Sequence, residues 1–339
     1  MTQISPLQPT PTGAFRFNTD SARLEYYEGS EWVMLASDSP DLRTGGTRGL
    51  YVGGSTPSAT DVIDYVNIAT TGDATDFGNL TKARAECGGF SNKKRALVGG
   101  DSVPGSDNTI DYVTISSIGN ATDFGDMSTG NAQSFGGLAN ATRGLFGGGY
   151  NSGGSWLNTL QYVTIDTTGN TVDFGDLAAA IAYTVGGSSP TRGIWMGGGI
   201  APGWAAQNTI QYITIATTGD TADFGDMTVA DYGGTIAGNA VRQIYFTGGN
   251  KTNLMEYVTT ATLGNALDFG DMTITNHYSA SSNASPTRAT VGGGNAPSTT
   301  DVIDFVHIMT TGDAIDFGNL SVSRTTSQGC YSNGHGGLG

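Results

Sequence analysis

The sequence predicts an all-β chain: a six-bladed β-propeller of four-stranded antiparallel blades, preceded by a small β-meander. Three observations carry that reading. A stretch first seen as Thr70-Thr71-Gly72-Asp73-Ala74-Thr75-Asp76-Phe77-Gly78-Asn79-Leu80 appears six times in variant forms, with its phenylalanine at Phe77, Phe124, Phe174, Phe224, Phe269 and Phe317. Successive copies are 45 to 50 residues apart, a period that belongs to propeller blades and other repeat arrays. Composition agrees, because 53 glycines in 339 residues and 37% hydrophobic content suit many short strands joined by tight turns.

Charge and cysteine content narrow the function. The chain carries 30 acidic against 15 basic residues, a formal charge of −15 spread through the repeats, so a phosphate backbone is repelled and nucleic-acid binding is not expected. With two cysteines, Cys87 and Cys330, there is no disulfide framework and no Cys-x-x-Cys metal site. Both fall on expected innermost strands of neighbouring blades and are read as free thiols. The opening Met1-Thr2-Gln3-Ile4-Ser5-Pro6 does not read as a secretion leader, and no run of about twenty apolar residues suggests membrane insertion.

Taken in order, residues 1–12 are rich in Pro and Thr and read as an extended arm. Residues 13–36 read as three short strands, with alternation at Phe15/Phe17, Leu24/Tyr26 and Trp32/Met34 and turns at Asn18-Thr19-Asp20 and Glu28-Gly29-Ser30. A meander this small needs another surface to pack on. Its order, Gly13-Ala14-x-Arg16-x-Asn18-Thr19, then Leu24-Glu25-x-Tyr27, then Gly29-x-x-Trp32, resembles a short module near the ends of tailed-phage fibre and appendage proteins. The resemblance implies a virion-docking role, for which Phe15, Phe17, Leu24, Tyr26 and Trp32 are the candidates. Residues 37–46 form a linker, and 47–339 hold the repeats.

One repeat, written from the second, contains a small-residue strand over Arg84–Asn92, an apolar strand over Arg95–Gly100 ending in a glycine pair, and an alternating strand over Thr109–Ile115. A Gly119-Asn120 turn then leads into Ala121–Gly125. Both faces of the third strand are partly apolar, as a sheet sandwiched between neighbours requires. The order of glycine pair, Tyr-bearing strand, aromatic before a turn and small-residue strand resembles the kelch repeat. It departs from that family in having Phe where Trp is usual and in its Asp-Phe-Gly-Asp insertion, so the resemblance implies blade topology and no particular ligand. The repeats begin at Arg48 without a first strand and end with a spare one, Arg324–Asn333. That strand is expected to complete the first blade from inside and close the ring, leaving only short edges.

Candidate sites follow from what repeats and what does not. The aspartates Asp76, Asp123, Asp173, Asp223, Asp268 and Asp316 occur once per blade, so they do not converge on a calcium ion. Each is expected to cap its own turn or to pair with a repeated arginine, Arg48, Arg95, Arg143, Arg192, Arg242 or Arg288. With their phenylalanines they are read as structural. His277, His307 and His335 occupy unrelated repeat positions and suggest neither a metal site nor a catalytic set. No cofactor is expected. The loop between second and third strands varies between blades, and two copies carry large aromatics: Tyr150 with Trp156, and Trp204. Variable loops on a rigid scaffold are where binding specificity sits, although such rings also serve as plugs between blades. Glu86 and Glu256 break the repeat pattern.

The resulting expectation is a non-enzymatic structural virion protein of a tailed phage, assembled in the host cytoplasm and displayed as a tail fibre, appendage or adhesin. Other virion proteins would hold residues 1–42, in an oligomeric arrangement, while the propeller loops meet a host-surface glycan or protein. The competing reading is a glycan-binding propeller, with glycan cleavage a weaker variant. An intracellular kelch-like adaptor is disfavoured because no partner-recruitment domain accompanies the repeats.

Overall fold

The computed structural model describes residues 10–18, 23–34, 47–101, 108–128, 133, 135–151, 153–250, 252–275, 278–295, 298–326 and 328–334. It is all-β, without a helix among the described residues, and divides into two compact units, 1–43 and 44–339.

The first unit is an antiparallel meander of β1 (Phe15–Asn18), β2 (Arg23–Tyr27) and β3 (Trp32–Met34). Opposed residues share a face, and the register opposes Phe15 to Tyr26 but Tyr27 to Trp32. The docking candidates therefore do not form one patch, because Trp32 sits across the sheet from Phe15 and Tyr26. The Arg16 guanidinium lies 4.2 Å over the Trp32 ring and 2.7 Å from Glu25, while Phe15 is 66% exposed. Phe17 is opposite Leu24 in register. Thr19 and Asp20 of the expected turn lie outside the described residues.

The second unit is a succession of antiparallel sheets. The first repeat gives β4 (Arg48–Val52), β5 (Thr60–Asn67) and β6 (Thr75–Arg84). The second gives β7 (Gly88–Ser91), β8 (Arg95–Gly99), β9 (Thr109–Thr114) and β10 (Thr122–Asp126). The third gives β11 (Gly136–Ala139), β12 (Arg143–Gly147), β13 (Thr159–Thr164) and β14 (Val172–Asp176). The fourth gives β15 (Val185–Ser188), β16 (Arg192–Met196), a short β17 (Gly199–Ile200), β18 (Ala205–Thr214) and β19 (Ala222–Asp231). The fifth gives β20 (Thr235–Gly238), β21 (Arg242–Phe246), β22 (Leu254–Thr259) and β23 (Leu267–Asp271). The sixth gives β24 (Ser281–Ala284), β25 (Arg288–Gly292), β26 (Val302–His307) and β27 (Ile315–Asn319), and β28 (Gln328–Cys330) follows.

The recurrent Asp-Phe-Gly has a specific job. In every repeat the phenylalanine is the extra residue of a β-bulge in the fourth strand: Asp123 faces Asp111 and Gly125 faces Ile110, leaving Phe124 over. The bulge turns the ring inward, where it meets the edge of the third-strand aromatic at 5.9–6.1 Å. The repeated arginine covers that same third-strand ring from 4.0–5.0 Å. Its Nη1 donates to a carbonyl of the next repeat, from Arg48 to Ile115, Arg95 to Ile165, and so on to Arg288, which reaches Ile68. These arginines bind rings and carbonyls, and the described ion pairs do not join them to the aspartates. Asp123 and Asp268 instead accept from Gly125 N and Gly270 N, capping the bulge.

The glycine of the motif is required twice over. Its φ lies between 139° and 150°, and an added Cβ would stand 2.4–2.5 Å from the turn of the neighbouring repeat. That turn is held by Gly119 N donating to Phe77 O, with equivalents in each repeat and Gly72 N donating to Phe317 O at 2.8 Å.

The first strands, β7, β11, β15, β20 and β24, consist largely of Gly, Ala, Ser and Thr because they approach one another closely. A Cβ on Gly137 would fall 2.4 Å from Gly89 O, and one on Gly186 2.6 Å from Gly137 O. The spaces between these strands are about 10 Å³ and about 0 Å³. Such proximity explains a departure from expectation. β28 pairs in parallel with both β24 and β7, and it meets β4 through an antiparallel Gly49–Ser332 bridge and the bond from Leu50 N to Tyr331 O. Arg84, assigned from the sequence to a small-residue strand, ends β6 instead, and Cys87 precedes β7. Cys87 and Cys330 are not joined by a disulfide.

A second set of bonds links the repeats through a buried polar residue on each third strand: Asp64, Asp111, Gln161, Gln211, Glu256 and Asp304. Each accepts from the residue four places after the preceding repeat's bulge phenylalanine: Asp111 from Thr81, Gln211 from Ala178 N and Asp64 from Ser321. Arg84 and Arg324 add buried ion pairs to Asp111 (3.1 Å) and Asp64 (2.9 Å). At the end of β19 the arginine's place is taken by Asp231, whose charge acts on Glu256 of the fifth repeat.

Burial raises the pKa of both these carboxyls, and for Glu256 the nearby Asp231 charge adds to it. Asp231 is bonded by Gly248 N, Asn250 N and the Tyr245 hydroxyl, whereas Glu256 Oε2 has no hydrogen-bond partner. With folded values above unfolded ones, the stability these carboxyls contribute is complete below the ordinary carboxylate range. It is lost as pH rises through the raised values. Glu256→Gln, the residue the third and fourth repeats already use, should therefore raise stability at pH 7 by about 1–2 kcal/mol. The gain should vanish near pH 4, where Glu is itself protonated. Urea melts across pH 4–8 check both limbs.

Candidate functional site

The loops between second and third strands and the approaches to the first strands lie at the same end of the repeat unit. Backbone bonds join them: Gly149 N to Ile181 O, Gly198 N to Asp231 O, Gly249 N to Tyr232 O and Asn295 N to Tyr278 O, all 2.7–3.1 Å.

At this end the three loop aromatics come together. Tyr150 and Trp156 are paired across a small backbone bridge, with ring centroids 6.3 Å apart. Trp204, on the turn between β17 and β18, lies 4.5 Å from Trp156 and 5.6 Å from Tyr150. Three tyrosines extend the row: Tyr183 is 5.4 Å from Trp204, Tyr278 is 5.7 Å from Tyr183, and Tyr232 is 6.3 Å from Tyr183. Trp204 remains 40% exposed, Tyr150 and Trp156 are half-buried, and Tyr183 is buried.

One carboxylate enters the row. The Tyr150 hydroxyl donates to Glu86 Oε2 at 3.2 Å. Glu86 and Tyr278 also line a cavity of about 610 Å³, whose remaining walls include Ser55, Ser58, Asn295 and Thr325. That volume falls within the ordinary range of ligand pockets, about 300–1,000 Å³. Burial pushes the Tyr278 hydroxyl up to about 12, with Glu86 adding to the shift and a hydrogen bond with Tyr183 opposing it, so the phenol stays protonated as a donor.

Backbone strain concentrates here. Among the described residues, the non-glycine ones with φ of 53–61° are Glu86, Tyr183, Trp204 and Ser279, and all four belong to this end. Glu86, Tyr183 and Ser279 each stand two residues before a first strand, where Gly233 serves in the fifth repeat. Left-handed side-chain-bearing residues cost about 1–3 kcal/mol each and collect at functional sites.

Sequence reasoning found Tyr150, Trp156 and Trp204 but missed Tyr183, Tyr232 and Tyr278. The signal was present: the two or three residues just ahead of the first strands include Glu86, Tyr183, Tyr232 and Tyr278, large residues where the strands themselves are small. His307 stacks edge-on against Phe305 at 5.8 Å, away from this end, and His277 and His335 lie outside the described residues. Among the described residues no group of three or more His, Cys, Asp or Glu is placed to hold a metal ion.

No protein-family model and no curated protein matches the chain. A solved structure titled "Structure of YjhT" is similar to it, with a TM-score of 0.58 at 10% identity, covering 73% of this chain and 87% of that one. At that identity the likeness speaks for the propeller-like all-β fold alone.

Proposed function

We propose that this chain is a non-enzymatic structural protein of a tailed-phage particle, held by residues 1–42 and presenting the aromatic end of its repeats to the host surface. The observation that carries the reading is the combination, in one chain, of a phage-type meander bearing an exposed Phe15 with a repeat scaffold whose variable loops converge on one end. Residues 47–339 form a closed six-bladed propeller in this reading. Its support is that the bonds joining successive repeats also join the sixth to the first, through Gly72 to Phe317, Arg288 to Ile68 and Ser321 to Asp64. The third-strand carboxylates Asp64, Asp111, Glu256 and Asp304 are engaged in bonds between repeats, and Asp123 and Asp268 cap their own bulges. Among the described cavity-lining residues Glu86 is the carboxylate, whereas glycoside cleavage calls on a pair.

A second reading, a saccharide-binding propeller acting free of any particle, is favoured by the Tyr150–Trp156–Trp204 row alone. Particle fractionation separates the two. Purified virions probed with antibody should contain the chain in stoichiometric amount, and a chain lacking residues 1–42 should stay folded in the soluble fraction. Absence of the full chain from particles, or incorporation of the shortened one, would sink the virion reading.

A further inference from the structure

We propose that the aromatic end is a receptor site for a neutral saccharide, with Trp204 and its neighbouring rings stacked against a sugar face and Glu86 with the cavity rim binding its hydroxyls. The inference rests on this end being the host-facing one, and it names the chemistry recognised there.

Three features select that chemistry. The rings touch one another, at 4.5 Å for Trp156–Trp204 and 5.4 Å for Tyr183–Trp204, so they form a packed cluster that offers the exposed Trp204 face and not a box around a void. A quaternary ammonium is gripped by rings that surround it, whereas a pyranose presents a flat C–H face to a platform. The adjoining 610 Å³ cavity mixes short polar side chains, Ser55, Ser58, Asn295 and Thr325, with proline and alanine, and Glu86 and Tyr278 stand where it meets the rings. That mixture of short donors and acceptors around one carboxylate matches a polyhydroxylated ligand. Finally, charge excludes acidic sugars. The described lining holds Glu86 and no Lys or Arg, in a chain of formal charge −15, so a uronate or phosphate would meet only repulsion. The strained backbone of Glu86 and Trp204 fixes both contacts before the ligand arrives.

The test uses the full chain on a printed array of neutral hexose and N-acetylhexosamine oligosaccharides, beside uronate- and phosphate-bearing counterparts and immobilised choline. Neutral members should bind, and their acidic counterparts should be at least about tenfold weaker, the effect of one unfavourable charge contact of about 1.4 kcal/mol. Trp204→Ala should lose tenfold or more while keeping a cooperative thermal transition, so that the loss is read on folded protein. Glu86→Gln, which keeps the shape, should narrow the gap between neutral and acidic members. Preferential binding of acidic members or choline overturns the inference, as does undiminished binding by Trp204→Ala or silence across the array. Adsorption of the same protein to intact host cells distinguishes the two failures. Cell binding with a silent array leaves the attachment reading standing with a different ligand, and loss of both removes each.

Discussion

A chain carrying Arg84→Met should be less stable than the parent by about 3–5 kcal/mol, because removing one partner of a buried pair strands the other charge. Arg84 and Asp111 are both fully buried, and Arg84 Nη1 also donates to Thr109 O and Gly100 O. Asp111 receives two bonds from Thr81, which lower the cost of its charge without removing it. The fourth repeat shows the neutral solution. There Ile181 holds the position of Arg84, its carbonyl accepting from Gly149 N as the Arg84 carbonyl accepts from Gly54 N, and the facing residue is Gln211. The double variant Arg84→Ile, Asp111→Gln should therefore recover most of the loss, since a well-packed neutral pair commonly matches a buried ion pair. Equilibrium urea unfolding of the parent, the single variant and the double variant makes the comparison. A double variant no better than Arg84→Met would show that the pair does more than replace Ile and Gln.

The second large effect is expected at the carboxy-terminal end. A chain ending at Thr326 loses β28 with its parallel bonds to β24 and β7, and the fully buried Tyr331. It also loses Asn333, whose side chain accepts from Arg48 N at 2.7 Å, and Ser332, whose amide is bonded by Ser91. Deleting a buried aromatic costs about 3–5 kcal/mol and each net hydrogen bond about 0.5–1.5 more, a total comparable with the whole stability of an ordinary domain. The truncated chain should fail to give a cooperative thermal transition and should aggregate. Addition of a synthetic 327–339 peptide should restore part of the transition. A truncated chain that melts normally would show β28 to be dispensable.

The parts that could be read in advance were those where local chemistry repeats. The period, the glycine-ended second strands and the four-strand order all follow from side-chain size and alternation, and they recur as observed sheets. The Asp-Phe-Gly motif was visible as a motif but not as a bulge. A bulge is a property of pairing, and nothing in one strand's sequence states which partner residue is skipped. The repeated arginines misled for a related reason: charge suggests a carboxylate, yet a ring and a carbonyl lie nearer once the repeats stack. Arg84, Asp231 and Glu256 were legible only as exceptions to the pattern, because burial at a seam between repeats is a tertiary fact. The aromatic row was half legible. Tyr150, Trp156 and Trp204 declare themselves on long loops, whereas Tyr183 and Tyr278 look like ordinary strand-edge tyrosines until the loop end is assembled.

The crowding of the first strands has one more consequence. The two described spaces between them hold about 10 Å³ and about 0 Å³, scarcely one water's worth. A wedge set into that contact cannot be absorbed locally: a Cβ on Gly137 would meet Gly89 O and one on Gly186 would meet Gly137 O, so the displacement passes from one sheet's backbone to the next.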